Sequence, residues 1–304
     1  MGTYTLFCLA SGRSGTHFLY ELLRRNVRGA VCRHEPYVWN PSMFGRPIYD
    51  RATGDEAAIR KLAQRKRRII EGHRSASAYI ETSHAFLKSW SDLAIEHFPG
   101  MKLIHLIRHP LAVAKSEAAR EAVIHRWRLP LRNYRGGDGK SYFRWSLTGL
   151  EPIFGQVGDR SLSRLQWYVL QWIEIENRAM AFLNRYGKAG DCCTLLSPAA
   201  LNDAAQVREL LEFLALSRQS DRICLEGRRN RTPGVRLEIT EQDRQELAEI
   251  LRLTPTSYLE IFRRPPYTEF PWASELQSGL PGAGAPAGGS SLLMDATSGN
   301  NQKQ

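Results

Sequence analysis

The run Ala10-Ser11-Gly12-Arg13-Ser14-Gly15-Thr16-His17 combines small residues, hydroxyls and one guanidinium. Gly12 and Gly15 allow a tight bend and a close approach of backbone to a ligand, because no Cβ stands in the way. The apolar residues from Tyr4 to Leu9 before it predict a buried strand, and Phe18, Leu19, Leu22 and Leu23 after it repeat at helical spacing. Strand, turn and helix in that order aim the first unpaired N–H groups of the helix at the turn. With the helix dipole, those groups favour an anion, most often a phosphate. Ser14 and Thr16 add hydroxyl donors, Arg13 adds a fixed charge with a donor fork, and His17 is a further binding group beside the turn.

A second set lies in Arg108-His109-Pro110-Leu111-Ala112-Val113-Ala114-Lys115-Ser116. Residues 101–107 before it are apolar enough for the middle of a parallel sheet. Pro110 suits the first position of a helix. Arg108 then stands at a strand end, and Ser116 lies eight residues on, inside the helix. A third candidate, Glu35 in His34-Glu35-Pro36, follows a short strand over residues 29–32. It sits at the sheet edge where open α/β folds bind ligands. By position alone Glu35 also reads as a surface carboxylate beside a turn proline.

Neither common nucleotide loop fits. A Walker A loop needs Lys after its last glycine, where Thr16 stands, and Gly12-Arg13-Ser14-Gly15 does not supply Gly-x-Gly-x-x-Gly. The turn resembles the phosphosulfate loop of sulfotransferases that use 3′-phosphoadenosine-5′-phosphosulfate (PAPS), in the version with Arg in the basic place, as in tyrosylprotein and nodulation-factor sulfotransferases. Members of that family also carry an Arg at a strand end, Pro two residues later and Ser eight residues later. Arg108, Pro110 and Ser116 match all three, while His109 replaces the usual Asn or Asp and takes no assigned role.

The resemblance is specific over roughly residues 4–120. It implies that Gly12, Arg13, Ser14, Gly15, Thr16 and His17 hold the 5′-phosphosulfate, and that Arg108 and Ser116 hold the 3′-phosphate. It also implies that Arg13 stabilises the leaving phosphate and that Glu35 takes the acceptor's proton, with His34 as the rival base. The product would be adenosine 3′,5′-bisphosphate (PAP), and no metal is expected. Relatives carry a late basic, glycine-containing loop, which makes Arg228 and Arg229 further cofactor candidates. The acceptor, a glycan, glycolipid, phenol, peptide or alcohol, is not identified by any motif.

These groups need a scaffold, and 304 residues suffice for one large core. The expected fold is three-layer α/β, P-loop-like, with a mainly parallel sheet between helices. Further helices are expected over 55–68, 83–97, 161–186, 204–214 and 242–252, with strands at 79–82 and 192–196. Residues 1–272 would form the sulfotransferase domain. Within it, the basic, aromatic segment 117–164 reads as an acceptor-binding cap or as a surface excursion anchored by its aromatics. Residues 273–304, rich in Gly, Ala, Ser and Pro, read as a disordered tail.

Lys and Arg number 42 against 31 Asp and Glu, a formal charge of +11, so anions of some kind are attracted. The run Arg65-Lys66-Arg67-Arg68 is a solvated helix face or a patch for an anionic partner. No nucleic-acid motif supports nucleic acid as the partner. Five cysteines, two of them adjacent, form neither a disulfide framework nor a metal set, which predicts a reducing compartment. With no leader-like stretch and no membrane-length apolar run, a soluble cytoplasmic protein is expected. Two rivals stay open: a nucleotide-dependent kinase, and a non-catalytic nucleic-acid-binding protein using the positive charge.

Overall fold

The structure, a computed structural model, describes residues 4–36, 41–128, 132–158, 160–225 and 238–278. Strand β1 (Thr5–Leu9) is buried along its whole length, as the apolar run from Leu6 to Leu9 demands. Helix α1 (Thr16–Asn26) follows, then β2 (Val31–Arg33), α2 (Arg46–Thr53), α3 (Glu56–Glu71) and β3 (Tyr79–Glu81). Asp55 caps α3 by accepting from the Ala58 N–H. A π-helical turn (Phe86–Trp90) leads into α4 (Ser91–His97), β4 (Lys102–Ile107) and α5 (Pro110–Arg126). The hairpin β5 (Asn133–Arg135) and β6 (Ser141–Phe143) comes next, then α6 (Pro152–Gln156) and α7 (Arg164–Arg185). The remaining elements are β7 (Cys192–Leu196), α8 (Ala204–Phe213), α9 (Glu241–Leu253), α10 (Thr256–Leu259) and α11 (Ala273–Ser278).

The central sheet has five strands in the order β2-β3-β1-β4-β7, all parallel. Period-2 alternation sends Leu6 and Cys8 to one face and Phe7 and Leu9 to the other. The first face packs on α1 and α8 through Leu19, Leu22, Leu210 and Leu211. The second packs on α3, α4, α5, α7 and α9, with Trp172 and Phe262 stacked in its centre. This is the expected three-layer α/β arrangement.

The chain leaving β1 runs toward β2, whereas the chain leaving β4 runs toward β7. Neighbouring strands with diverging exits open a crevice beyond their carboxyl ends, where open α/β sheets bind ligands. The turn at 10–16 and Arg108 stand at that crevice because they follow β1 and β4.

Most expected elements lie within a few residues of their predicted bounds. Three differ. Helix α2 was not foreseen. Segment 117–164 is not one irregular excursion: it starts as the second half of α5 and includes the β5–β6 hairpin and α6. At the carboxyl end, residues 273–278 form α11, with Leu276 buried, so described structure runs past the expected boundary at 273. Residues 279–304 lie outside the described residues. So do residues 226–237, and with them Arg228 and Arg229.

All five cysteines are free thiols. Among the described residues no helix is long and apolar enough to cross a membrane. Lys66, from the basic run, is buried: its Nζ lies 2.8 Å from Glu81 Oε2, which also accepts from the Tyr79 hydroxyl at 2.8 Å. Arg65, Arg67 and Arg68 are exposed.

Candidate active site

Gly15 forms the N-cap of α1 at φ 105°, a left-handed angle that glycine adopts without strain. A Cβ there would also meet Ser197 Oγ at 2.7 Å. The Leu19 N–H already bonds to the Gly15 carbonyl, so the unpaired N–H groups of the helix belong to Thr16, His17 and Phe18. Those three residues line one cavity together with Arg13, Gly15, His34, Glu35, His84, Arg108 and Arg120. A helix N-terminus ringed by three guanidinium groups suits an anion with several negative charges.

The two motif sets meet directly. Arg13 Nε donates to Ser116 Oγ at 2.8 Å, and Arg108 Nη1 donates to the Arg13 carbonyl at 2.8 Å. Arg13 holds φ 61°, unusual for a residue with a Cβ. Burial and then the nearby Arg120 cation lower its pKa, against the opposing pull of Glu117 and Glu35. Ser14 is fully buried, and its hydroxyl shares a 2.6 Å hydrogen bond with Ser11, so that side chain stiffens the turn rather than lining the cavity. Gly12 is in the turn itself, and a Cβ there would fall 1.8 Å from Glu117 Oε1 and 3.2 Å from His84 Cε1.

Glu35 also holds a left-handed backbone, at φ 45°. Strain of this kind costs of order 1–3 kcal/mol per residue and clusters at functional sites. Its Oε1 lies 3.2 Å from His84 Nε2 and 3.7 Å from His34 Nε2. The His84 contact lacks the alignment of a hydrogen bond. Burial works to raise the Glu35 pKa, but His84, His34 and Arg120 outweigh it and hold the carboxyl below the ordinary carboxylate range. Burial lowers the pKa of His34, whose Nδ1 lies 3.1 Å from both the carbonyl and the hydroxyl of Thr82. A ring nitrogen facing a carbonyl must carry the proton, so a neutral His34 presents Nε2 as an acceptor. His84 is 1 % exposed, and burial, then the Lys88 cation, push its pKa down to about 4. The neutral His84 ring rests on Phe44, with centroids 4.6 Å apart.

Four charged or titratable side chains at this site have no counterpart in the sequence reading: His84, Lys88, Glu117 and Arg120. Arg120 Nη2 lies 2.7 Å from Glu117 Oε2, and its guanidinium faces the rings of Phe143 and Trp145 at 6.0 and 5.5 Å. Lys88 is fully buried and donates to the Trp145 carbonyl at 2.6 Å. Burial lowers its pKa to about 8, with Glu117 opposing. Two signals were available for these residues. His84 stands three residues beyond β3, at the same sheet edge as Glu35 and Arg108. Arg120 is one helical turn beyond Ser116 and therefore shares its face.

His109, left without a role above, caps α5. Its Nδ1 accepts from the Leu111 N–H, and its Nε2 lies 3.4 Å from Glu275 on α11.

No family model and no curated protein matches the chain. Among solved structures, the chain is similar to a sulfotransferase from Alicyclobacillus acidocaldarius, at 17 % identity over 87 % of this chain and 100 % of that one, with a TM-score of 0.43. It is also similar to the sulfotransferase domain from the curacin biosynthetic pathway, at 11 % identity over 71 % of this chain and 75 % of that one, TM-score 0.42. A third is the sulfotransferase domain of the Synechococcus PCC 7002 olefin synthase, at 15 % identity over 71 % and 74 %, TM-score 0.40. Likeness at this level assigns no activity to the chain.

Proposed function

We propose that this chain moves a sulfuryl group from PAPS to a hydroxyl or amine of an acceptor. One observation carries the reading: Arg13, Arg108 and Ser116, drawn from two neighbouring strand ends, join in one hydrogen-bonded cluster beside the open N-terminus of α1. A donor with phosphates at both ends of its ribose needs two adjacent anion sites, and two strand ends one sheet spacing apart supply them.

In this scheme the N–H groups of Thr16, His17 and Phe18 bind the 5′-phosphate, and Arg108 and Ser116 bind the 3′-phosphate. Arg13 faces the oxygen that bridges phosphorus and sulfur. As that S–O bond breaks, its electron pair stays on the 5′-phosphate, and charge from Arg13 stabilises it. The new bond forms between sulfur and the acceptor atom, and the acceptor's proton passes to Glu35. The carboxylate is ionised at neutral pH and has a lone pair for that proton, while its lowered pKa makes it a weaker base than an ordinary Glu. His34 is the rival base through Nε2, and the buried His84 packs beside the carboxylate with its Nε2 3.2 Å from Glu35 Oε1. The hairpin and α6, within residues 117–164, would face the acceptor, and Arg228 and Arg229 remain candidates for the 3′-phosphate. The scheme requires no metal. A reducing, cytoplasmic setting agrees with five free thiols.

The test combines nucleotide binding with an acceptor screen using labelled PAPS. PAP should bind without Mg²⁺, and Glu35→Gln should lower turnover by about 100-fold or more with PAP affinity retained. Turnover that survives Glu35→Gln but not His34→Gln would move the base to His34. ATP binding that needs Mg²⁺ would favour a kinase instead.

A further inference from the structure

We propose that Glu117 is a positioning residue that aims Arg120 at the sulfuryl-transfer site from beneath the loop. The inference rests on the function proposed above and gives a task to a carboxylate that the function leaves idle.

Glu117 is wholly buried. Its Oε2 lies 2.7 Å from Arg120 Nη2, an ion pair without the alignment of a hydrogen bond, and neither of its oxygens receives a hydrogen bond among the described residues. The Oε1 atom presses on the turn, in the space where any side chain at position 12 would have to be. A buried carboxylate short of partners is costly, and one such group in a native fold calls for an explanation. Attraction for the ligand does not supply it: a negative charge directly under a phosphate-binding turn opposes anion binding. Neutralising the buried cations nearby is part of the answer, because Lys88 and Arg120 both lie within its field. Lys88, however, already donates to the Trp145 carbonyl and lies away from the cavity lining.

Arg120 is different. It lines the cavity, and neither its Nε nor its Nη2 makes a hydrogen bond among the described residues. Its orientation is set by one carboxylate and two aromatic faces. The attraction of a guanidinium for an aromatic face is broad and does not by itself fix one orientation. Among the described residues Glu117 is the carboxylate in ion-pair contact with the guanidinium, and it bears on where along Phe143 and Trp145 that group rests. A guanidinium held in that way presents its remaining donors to an anion at no cost in reorganisation during the reaction.

A part played through geometry predicts a split between binding and rate. In Glu117→Gln, PAP should bind as tightly as in wild type or more tightly, because a like charge has gone. The saturated transfer rate should fall about tenfold as Arg120 loses its fix. In an Arg120→Ala background the same substitution should change the rate by less than about twofold. Equal losses of affinity and rate, an unchanged rate, or a full additional loss in the Arg120→Ala background would each overturn the proposal. If Glu117→Gln does not fold, Glu117→Asp keeps the charge but withdraws it from Arg120: a lower rate at wild-type PAP affinity supports the proposal, and a wild-type rate overturns it. Wild-type protein that binds no PAP would instead sink the proposed function itself, which separates the two failures.

Discussion

Gly12→Ala is the sharpest structural perturbation the turn offers. The added Cβ would stand 1.8 Å from Glu117 Oε1 and 3.0 Å from its Cδ. To reach even 3.0 Å, the carboxylate must retreat by about 1.2 Å, a displacement that close-packed interiors resist. Overpacking of this kind costs about 1–3 kcal/mol. Retreat also loosens the 2.7 Å ion pair with Arg120, and an unpaired buried charge costs about 3–5 kcal/mol when the pair breaks fully. The two costs share one motion, so a total of about 3 kcal/mol is reasonable, which lowers the melting temperature by roughly 6–12 °C. Circular dichroism melts with and without PAP measure it. Glu117→Ala in the same chain opens the space, so the double variant should melt no lower than Glu117→Ala alone, a coupling above about 1 kcal/mol. If Gly12→Ala melts within about 2 °C of wild type, or the two substitutions add, the buried carboxylate is not where this reasoning places it.

Three further outcomes follow from the same geometry. Arg108→Ala should weaken PAP binding about 100-fold in calorimetry, because it removes a charged phosphate contact and the bond to the Arg13 carbonyl; unchanged affinity would count against the 3′-phosphate role. His84, with its folded pKa pushed down to about 4, binds a proton more readily once unfolded. Its share of stability is therefore present above the ordinary histidine pKa of about 6.5 and is lost as pH falls from there toward the folded value, by up to roughly 3 kcal/mol. Urea unfolding at pH 7 and pH 5 should show this loss in wild type and a smaller one in His84→Gln. Lys66→Met should destabilise the fold by about 3–5 kcal/mol in urea, because Glu81 is left buried without its 2.8 Å partner.

Sequence order decided what could be foreseen. The turn at 10–16 and the Arg108–Ser116 pair were legible because each is continuous and bound to one strand–helix junction. Glu35 was reached through the resemblance, because its place after β2 alone fits a surface carboxylate equally well. His84 was hidden because β3 is only Tyr79–Glu81 and the residues after it read as helix. The π-helical turn at Phe86–Trp90, in which Lys88 is fully buried, leaves no periodic trace distinct from an α-helix. Glu117 and Arg120 belong to a helix rich in Ala, Glu and Arg, where an i,i+3 pair of opposite charge reads as a solvated surface bridge. Only the packing of that helix beneath the turn turns the pair inward. The contact between Arg13 and Ser116 spans 103 residues of sequence and follows from the pairing of β1 with β4.

The most direct test of the central claim is the structure of the chain soaked with PAP in the absence of Mg²⁺. The account predicts the 5′-phosphate on the N–H groups that follow Gly15 and the 3′-phosphate between Arg108 and Ser116, with Glu35 facing the vacated sulfuryl position. PAP bound away from the crevice between the ends of β1 and β4, or no bound PAP at concentrations where sulfate donors act, would contradict it.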